Sequence, residues 1–80
     1  MEKVQVLFNN EIQYVPLNEN GNIPLQTIEK YFSEGAVLYY LEDKIWHTLL
    51  ITNDEAQPKR GVDLYHVRYP KKGQFMINNF

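Results

Sequence analysis

Val15-Pro16-Leu17-Asn18-Glu19-Asn20-Gly21-Asn22-Ile23-Pro24-Leu25-Gln26-Thr27-Ile28-Glu29-Lys30-Tyr31-Phe32 reads as the end of a strand, a polar turn and one short helix. Gly21 sits where a turn needs positive φ, and Pro24 pre-sets φ for a first helical turn, with Asn22 close enough to cap it. A helix beginning there puts Leu25, Ile28 and Phe32 on one stripe and turns Thr27, Glu29 and Lys30 away from it. Gly35 is the natural stop. Everything else in the chain is patterned as strand, so this one helix must lay its stripe on a sheet. One helix cannot turn both Leu25 and Phe32 fully inward and still offer an apolar surface, so burial decides which of them serves the core.

Working outward, Lys3-Val4-Gln5-Val6-Leu7-Phe8 alternates with Val4, Val6 and Phe8 on one face, and Asn9-Asn10 is a two-residue turn. Glu11 to Leu17 pairs back as a hairpin. Its apolar phase slips between Ile12/Tyr14 and Val15/Leu17, which predicts a bulge or strong twist near Tyr14. Ala36 to Leu41 is apolar on both faces and reads as a central strand. Glu42-Asp43-Lys44 is a turn, and Ile45 to Thr52 reads as one further strand. Asn53 to Gly61, with Pro58 inside it, reads as a surface loop with room for one short edge strand. Asp63 to Tyr69 closes the domain, with Tyr65, Val67 and Tyr69 on one face, and Pro70 ends it. The fold class is therefore α+β: a ubiquitin-like mixed sheet of five to six strands packed on a single helix. Residues 1–71 form the domain and residues 72–80 a tail or the start of a linker.

Eighty residues suffice for one core only. With no cysteine there is neither a disulfide framework nor a thiolate metal site, so packing must hold the fold. A net charge of −2 and a pI near 5.6 argue against a general phosphate-binding surface. No signal peptide, membrane span or run of like charge is visible.

Pro16 with Gly21 five positions on, Leu25, Ile28 and Phe32 in the helix, Leu38 with Tyr40, and the closing run Tyr65-His66-Val67-Arg68-Tyr69-Pro70 share one element order and one spacing. In these the chain resembles the N-terminal domain of the TAR DNA-binding protein family. The match runs without a gap from Glu11 to Glu42 and spans about Val4 to Lys71, weakening between Asp43 and Val62. The resemblance implies a ubiquitin-like, also called DIX-like, domain that self-associates head to tail and multiplies the valency of RNA-binding domains elsewhere in its chain. It implies residence in the nucleus, in cytoplasmic ribonucleoprotein granules, or in both. Its acidic, helix-side surface maps onto Glu11, Glu19, Leu25, Ile28 and Glu29. The opposite surface maps onto Tyr39, Trp46, His47 and Leu50, where His47 and Leu50 stand in place of the family's arginines. A carboxylate facing guanidinium gains a charge-assisted bond that His or Leu does not supply, so this interface is expected to be more apolar, using Trp46, Leu50 and Tyr39, or the association to be weaker, dimeric or replaced by another partner.

No nucleophilic triad, phosphate loop or paired-carboxylate pattern is present, and no catalytic residue, cofactor or metal is expected. His47 and His66 both fall on strands that can face the same side, but without a nearby carboxylate they read as structural or solvent-facing. Six Tyr, four Phe and Trp46 could stack single-stranded nucleic acid, yet the core needs most of these rings and the basic residues are scattered. The leading expectation is a non-catalytic domain that binds itself, as a homo-oligomer or homodimer, in an RNA-associated protein whose nucleic acid is contacted mainly by other domains. Ile28→Arg or Glu19→Arg should then abolish association and spare the fold. The alternatives are an adaptor that binds a segment of another protein by strand addition, and weak single-strand binding.

Overall fold

The computed structural model describes residues 2–70; the expected tail at 72–80 lies outside them. Strands β1 (Lys3–Phe8) and β2 (Glu11–Pro16) form the first hairpin, and the short β3 (Ile23–Pro24) leads directly into helix α1 (Leu25–Phe32). Then follow β4 (Val37–Glu42), β5 (Ile45–Thr48), β6 (Leu50–Thr52), β7 (Glu55–Gln57) and β8 (Tyr65–Arg68). The main sheet has the order β2-β1-β8-β4-β5, and a second sheet the order β3-β7-β6. Only β1 and β8 run parallel within the main sheet, the others pairing antiparallel. The architecture is α+β and of ubiquitin-like type: a mixed five-stranded sheet with one helix against its inner face.

Local chemistry explains the hairpins. Asn9 and Asn10 have φ of 53° and 65°, Asp43 and Lys44 54° and 66°, and Asn53 and Asp54 54° and 61°. Positive φ at both central residues is the type I′ geometry whose twist matches that of the flanking strands, and Asn and Asp tolerate it best. The first two turns agree with the sequence reading, and the third joins β6, which falls in the strand expected over Ile45 to Thr52, to β7, which falls in the loop expected to have room for one short edge strand.

Four local expectations are corrected. β2 carries no bulge, since every residue from Glu11 to Pro16 pairs one-to-one with β1. The slip in its apolar phase arises because Ile12 and Tyr14 lie on the outward face, Val15 lies in the core, and Leu17 has already left the strand, donating its N–H to Glu2 O at 2.9 Å. Asn22 does not cap the helix, because Ile23 and Pro24 are extended and pair with Ala56 and Glu55. Its amide donates instead to Glu55 Oε1 at 2.9 Å, while Asn18 Oδ1 closes the turn by accepting from the N–H groups of Asn20 and Asn22. The helix stops at Ser33, φ 80°, two residues before Gly35, its N–H donating to Glu29 O at 2.7 Å. Finally, the run from Ile45 to Thr52 is two strands. Leu49 turns into the core and donates to Leu38 O at 3.2 Å, and beyond it the chain leaves β4 for β7, which is the middle strand of the second sheet and buries Ala56. Pro58 follows β7 and so obstructs nothing.

Ile28 and Phe32 of α1 are buried against Val6, Leu38, Leu49 and Tyr65, whereas Leu25 is only partly covered. Phe32 meets Phe8 edge-on with centroids 5.2 Å apart, and the Tyr69 hydroxyl donates to the Phe32 carbonyl, tying the helix end to the last strand. Tyr65 is fully buried, its hydroxyl accepting from Lys59 N at 3.0 Å and donating to Lys59 O at 3.2 Å. Desolvation pushes this phenol above its ordinary range; the Lys59 backbone bond pulls it partly back and neighbouring Tyr40 adds to the rise. The folded state thus holds the proton more tightly than the unfolded chain. This contribution to stability is complete below pH about 10 and is lost as pH rises through the higher folded value. Tyr65→Phe should lower stability at neutral pH by about 1–3 kcal/mol, since it strands the Lys59 amide and carbonyl, and should flatten the alkaline loss when urea unfolding is followed from pH 7 to 11.

Candidate functional site

The departure of β6 from the main sheet leaves a gap between the helix and the second sheet. Leu25 and Ile28 of α1, Leu38 of β4, and Leu49, Ile51 and Ala56 around the second sheet line it as an apolar groove of about 290 Å³. Glu29 stands on its rim, and an adjoining recess adds Asp54 and Glu55. A wall of branched and small apolar side chains under an acidic rim suits an apolar segment that carries a cation.

The expected helix-side residues are only partly gathered there. Leu25 and Glu29 shape the groove. Ile28 is 3% exposed and belongs to the core, closing the groove from beneath, so its expected use as an exposed contact is corrected. Glu11 is exposed beside the β1–β2 turn, and Glu19 is exposed in the turn before β3; neither lines the groove.

The opposite set divides between the two faces of the sheet. Tyr39 of β4 and Trp46 of β5 lie on the outward face, with centroids 4.6 Å apart, and Trp46 is 49% exposed. His66 of β8 completes this cluster, 5.1 Å from Trp46 and 5.8 Å from Tyr39, and the Arg68 guanidinium lies 5.7 Å from the Tyr39 ring centre. His47 points the other way, stacked on Tyr40 at 5.3 Å, so the two histidines occupy opposite faces. Among the described residues no group of three His, Cys, Asp or Glu is placed to hold a metal ion. Leu50, on β6, is 65% exposed and stands next to the groove residue Ile51 rather than beside Trp46.

The β4–β5 hairpin end is a second exposed apolar surface. Leu41, Ile45 and Trp46 are all about half exposed there, with Asp43 and Lys44 in the turn between them and Glu42 paired with Ile45. Solvent-exposed apolar side chains clustered in this way mark contact surfaces. Sequence reasoning singled out Trp46, missed Leu41 and Ile45, and named His66 only as a structural or solvent-facing histidine. The two missed residues follow from reading Leu41-Glu42-Asp43-Lys44-Ile45-Trp46 as a type I′ hairpin, and the place of His66 from the alternation that turns Tyr65 and Val67 inward.

The one ion pair among the described residues joins Lys59 Nζ to Glu42 Oε1 at 3.3 Å. Both side chains are largely solvated, and such a pair contributes about 0–1 kcal/mol. Its Glu42 belongs to the β4–β5 hairpin end, paired with Ile45, so the pair ties that end to the segment after β7.

No protein-family model matches the chain, and a search of curated proteins finds no relative.

Proposed function

We propose that this is a non-catalytic association domain that binds further copies of itself head to tail, within an RNA-associated protein of the nucleus or of cytoplasmic ribonucleoprotein granules. The observation that supports self-association is the presence of two separate apolar surfaces on one molecule: a groove rimmed by Glu29, Asp54 and Glu55, and a hairpin end presenting Leu41, Ile45 and Trp46 around the turn residues Asp43 and Lys44. The RNA association and the location rest on the family resemblance. In the assembly the hairpin end of one copy enters the groove of the next. The apolar side chains supply affinity, and the lysine meets a carboxylate rim that fixes orientation. Because the two surfaces differ, the contact is heterologous, and each copy leaves one groove and one hairpin end free for another. No arginine at positions 47 and 50 is needed in this arrangement.

Light scattering tests it. The weight-average mass of the wild type should rise with concentration, and Glu29→Lys and Lys44→Glu should each hold the chain near the mass of one copy. Mixing the two variants should restore growth, because each mutated charge then finds its opposite on the other protein. A mass that stays at one copy for the wild type, or that the variants do not change, overturns the reading.

A second reading has its own observation. Leu50, Ile51 and Thr52 form an exposed edge strand with neither lysine nor proline to guard it. An adaptor that captures an extended segment of another protein there would stay at the mass of one copy and gain a ninth strand on binding.

A further inference from the structure

We infer that the outward face of the five-stranded sheet is a binding platform for single-stranded nucleic acid, separate from the groove but sharing Trp46 with the hairpin end through which copies associate. The pairing register assigns each strand residue to a face. Val6, Val15, Leu38 and Tyr65 are buried on the inner side, and their alternates point outward. No outward position on any of the five strands is Asp or Glu, although the chain holds ten carboxylates and is net negative. The charged residues at those positions are Lys3, opposite Pro16 at the start of β1, and Arg68, whose guanidinium lies 5.7 Å from the Tyr39 ring centre.

The aromatic residues divide in the same way. Phe8, Tyr40 and Tyr65 face the helix and fill the core with its Phe32, Phe8 meeting Phe32 and Tyr40 meeting Tyr65 edge-on. Tyr14, Tyr39 and Trp46 do not contribute to that core; Tyr14 is 58% exposed and Trp46 half exposed. The core therefore does not need these rings, and the cations scattered in sequence include two on the same face as them. Tyr39, Trp46 and His66 form a contiguous patch at the β8–β4–β5 side, and Tyr14 stands on β2 four strand spacings from Trp46, about 19 Å across the sheet. That width accommodates the two or three bases that RNA-recognition sheets stack on their aromatic residues. Base stacking on exposed rings tolerates any base; Arg68 lies against the patch, and Lys3, opposite Pro16 on the Tyr14 side of the face, offers a second phosphate contact. A duplex offers no unstacked base to these rings, so single strands should be preferred. A protein partner lacking a dense line of anions gains less from an acid-free face in a molecule that is otherwise acidic.

The test is a fluorescence titration of the full 80-residue chain with oligouridylate and oligothymidylate of about ten nucleotides, at low and at moderate salt, with the matching duplex in parallel. Binding should quench Trp46. Two phosphate contacts should give a slope of log affinity against log salt of about −1.4, falling to about −0.7 in Arg68→Ala. Tyr39→Ala should weaken binding by about 5- to 150-fold, the range of one lost base stack. Far-UV circular dichroism checks that each variant is folded. Lys44→Glu, which lies outside this face, should bind the oligonucleotides like the wild type while failing to associate, so the two proposals fail separately. Absence of quenching by single strands at low salt overturns the inference, as does equal binding of the duplex. It is also overturned if Arg68→Glu lowers the self-associated mass while leaving oligonucleotide affinity unchanged, because the face is then a protein contact.

Discussion

Ile28→Arg should unfold the domain. The residue is 3% exposed and lies among Leu38, Leu49 and Ala56 beneath the groove. Truncation of such a side chain to alanine alone costs about 2–5 kcal/mol. A guanidinium in the same place adds the cost of a desolvated charge, and no carboxylate lies within the cluster of buried residues to meet it. A domain of this size has a total stability of about 4–12 kcal/mol. The far-UV spectrum should therefore lose its native form and the thermal transition its cooperativity. Ile28→Val, which removes one methylene, should cost only about 0.5–1.5 kcal/mol and melt cooperatively. Glu19→Arg should keep both spectrum and transition, because its side chain is in solvent. A folded, cooperatively melting Ile28→Arg would show that the helix can rotate its stripe out of the core. Loss of association in Ile28→Arg then reports unfolding and not a contact, which is why the groove is probed at Glu29.

The helix and its inward stripe were legible because the 3.6-residue period and the 2-residue period do not mimic each other over eight residues. The order of elements followed from that, together with the turn chemistry at Asn9-Asn10 and Asp43-Lys44. What was not legible depended on which face of a strand is covered. In β2, Ile12 and Tyr14 are as apolar as Val15, yet they face outward on a sheet whose second side has no helix. A pattern count cannot separate that from a bulge. In 45–52 the alternation continues unbroken through Leu49, so only the pairing partner, β4 before it and β7 after it, reveals two strands. β7 was hidden for a similar reason: Pro58 suggested a loop, but the strand ends one residue earlier.

The candidate surfaces show the same limit. Leu25 and Glu29 could be placed on the helix side from their spacing alone. That Leu49, Ile51 and Ala56 complete a groove with them is a tertiary fact, created by the switch of the chain between sheets at Leu49. Conversely, Glu11 and Glu19 were grouped with the helix through a resemblance, and the fold sets Glu11 at the start of β2 and Glu19 in the turn before β3, where neither lines the groove. His47 and His66 share a residue type and a strand context, yet one register assigns them to opposite faces. Strand parity relative to a buried neighbour, Tyr40 for His47 and Tyr65 for His66, was enough to separate them.

Trp46→Ala should weaken self-association by about 30-fold or more and leave the fold in place. Trp is the side chain whose removal most often costs 2 kcal/mol or more at an interface, and it does so when it is exposed in the free molecule and covered in the complex. Trp46 is 49% exposed; its covered half rests on Tyr39 and His66, so truncation opens no cavity in the core. The cost to stability should stay at about 1 kcal/mol, the usual size for a point substitution. It is distinguished from Ile28→Arg by an intact melting transition, and from Lys44→Glu by its reach. Lys44→Glu removes only the charge that meets the groove rim, whereas Trp46→Ala should impair both the groove contact and the stacking of single strands. The comparison is made by light scattering and oligonucleotide titration on the same three proteins. If Trp46→Ala associates like the wild type, the hairpin end is not what the groove receives. The exposed edge at Leu50 to Thr52 then becomes the surface that binds a partner.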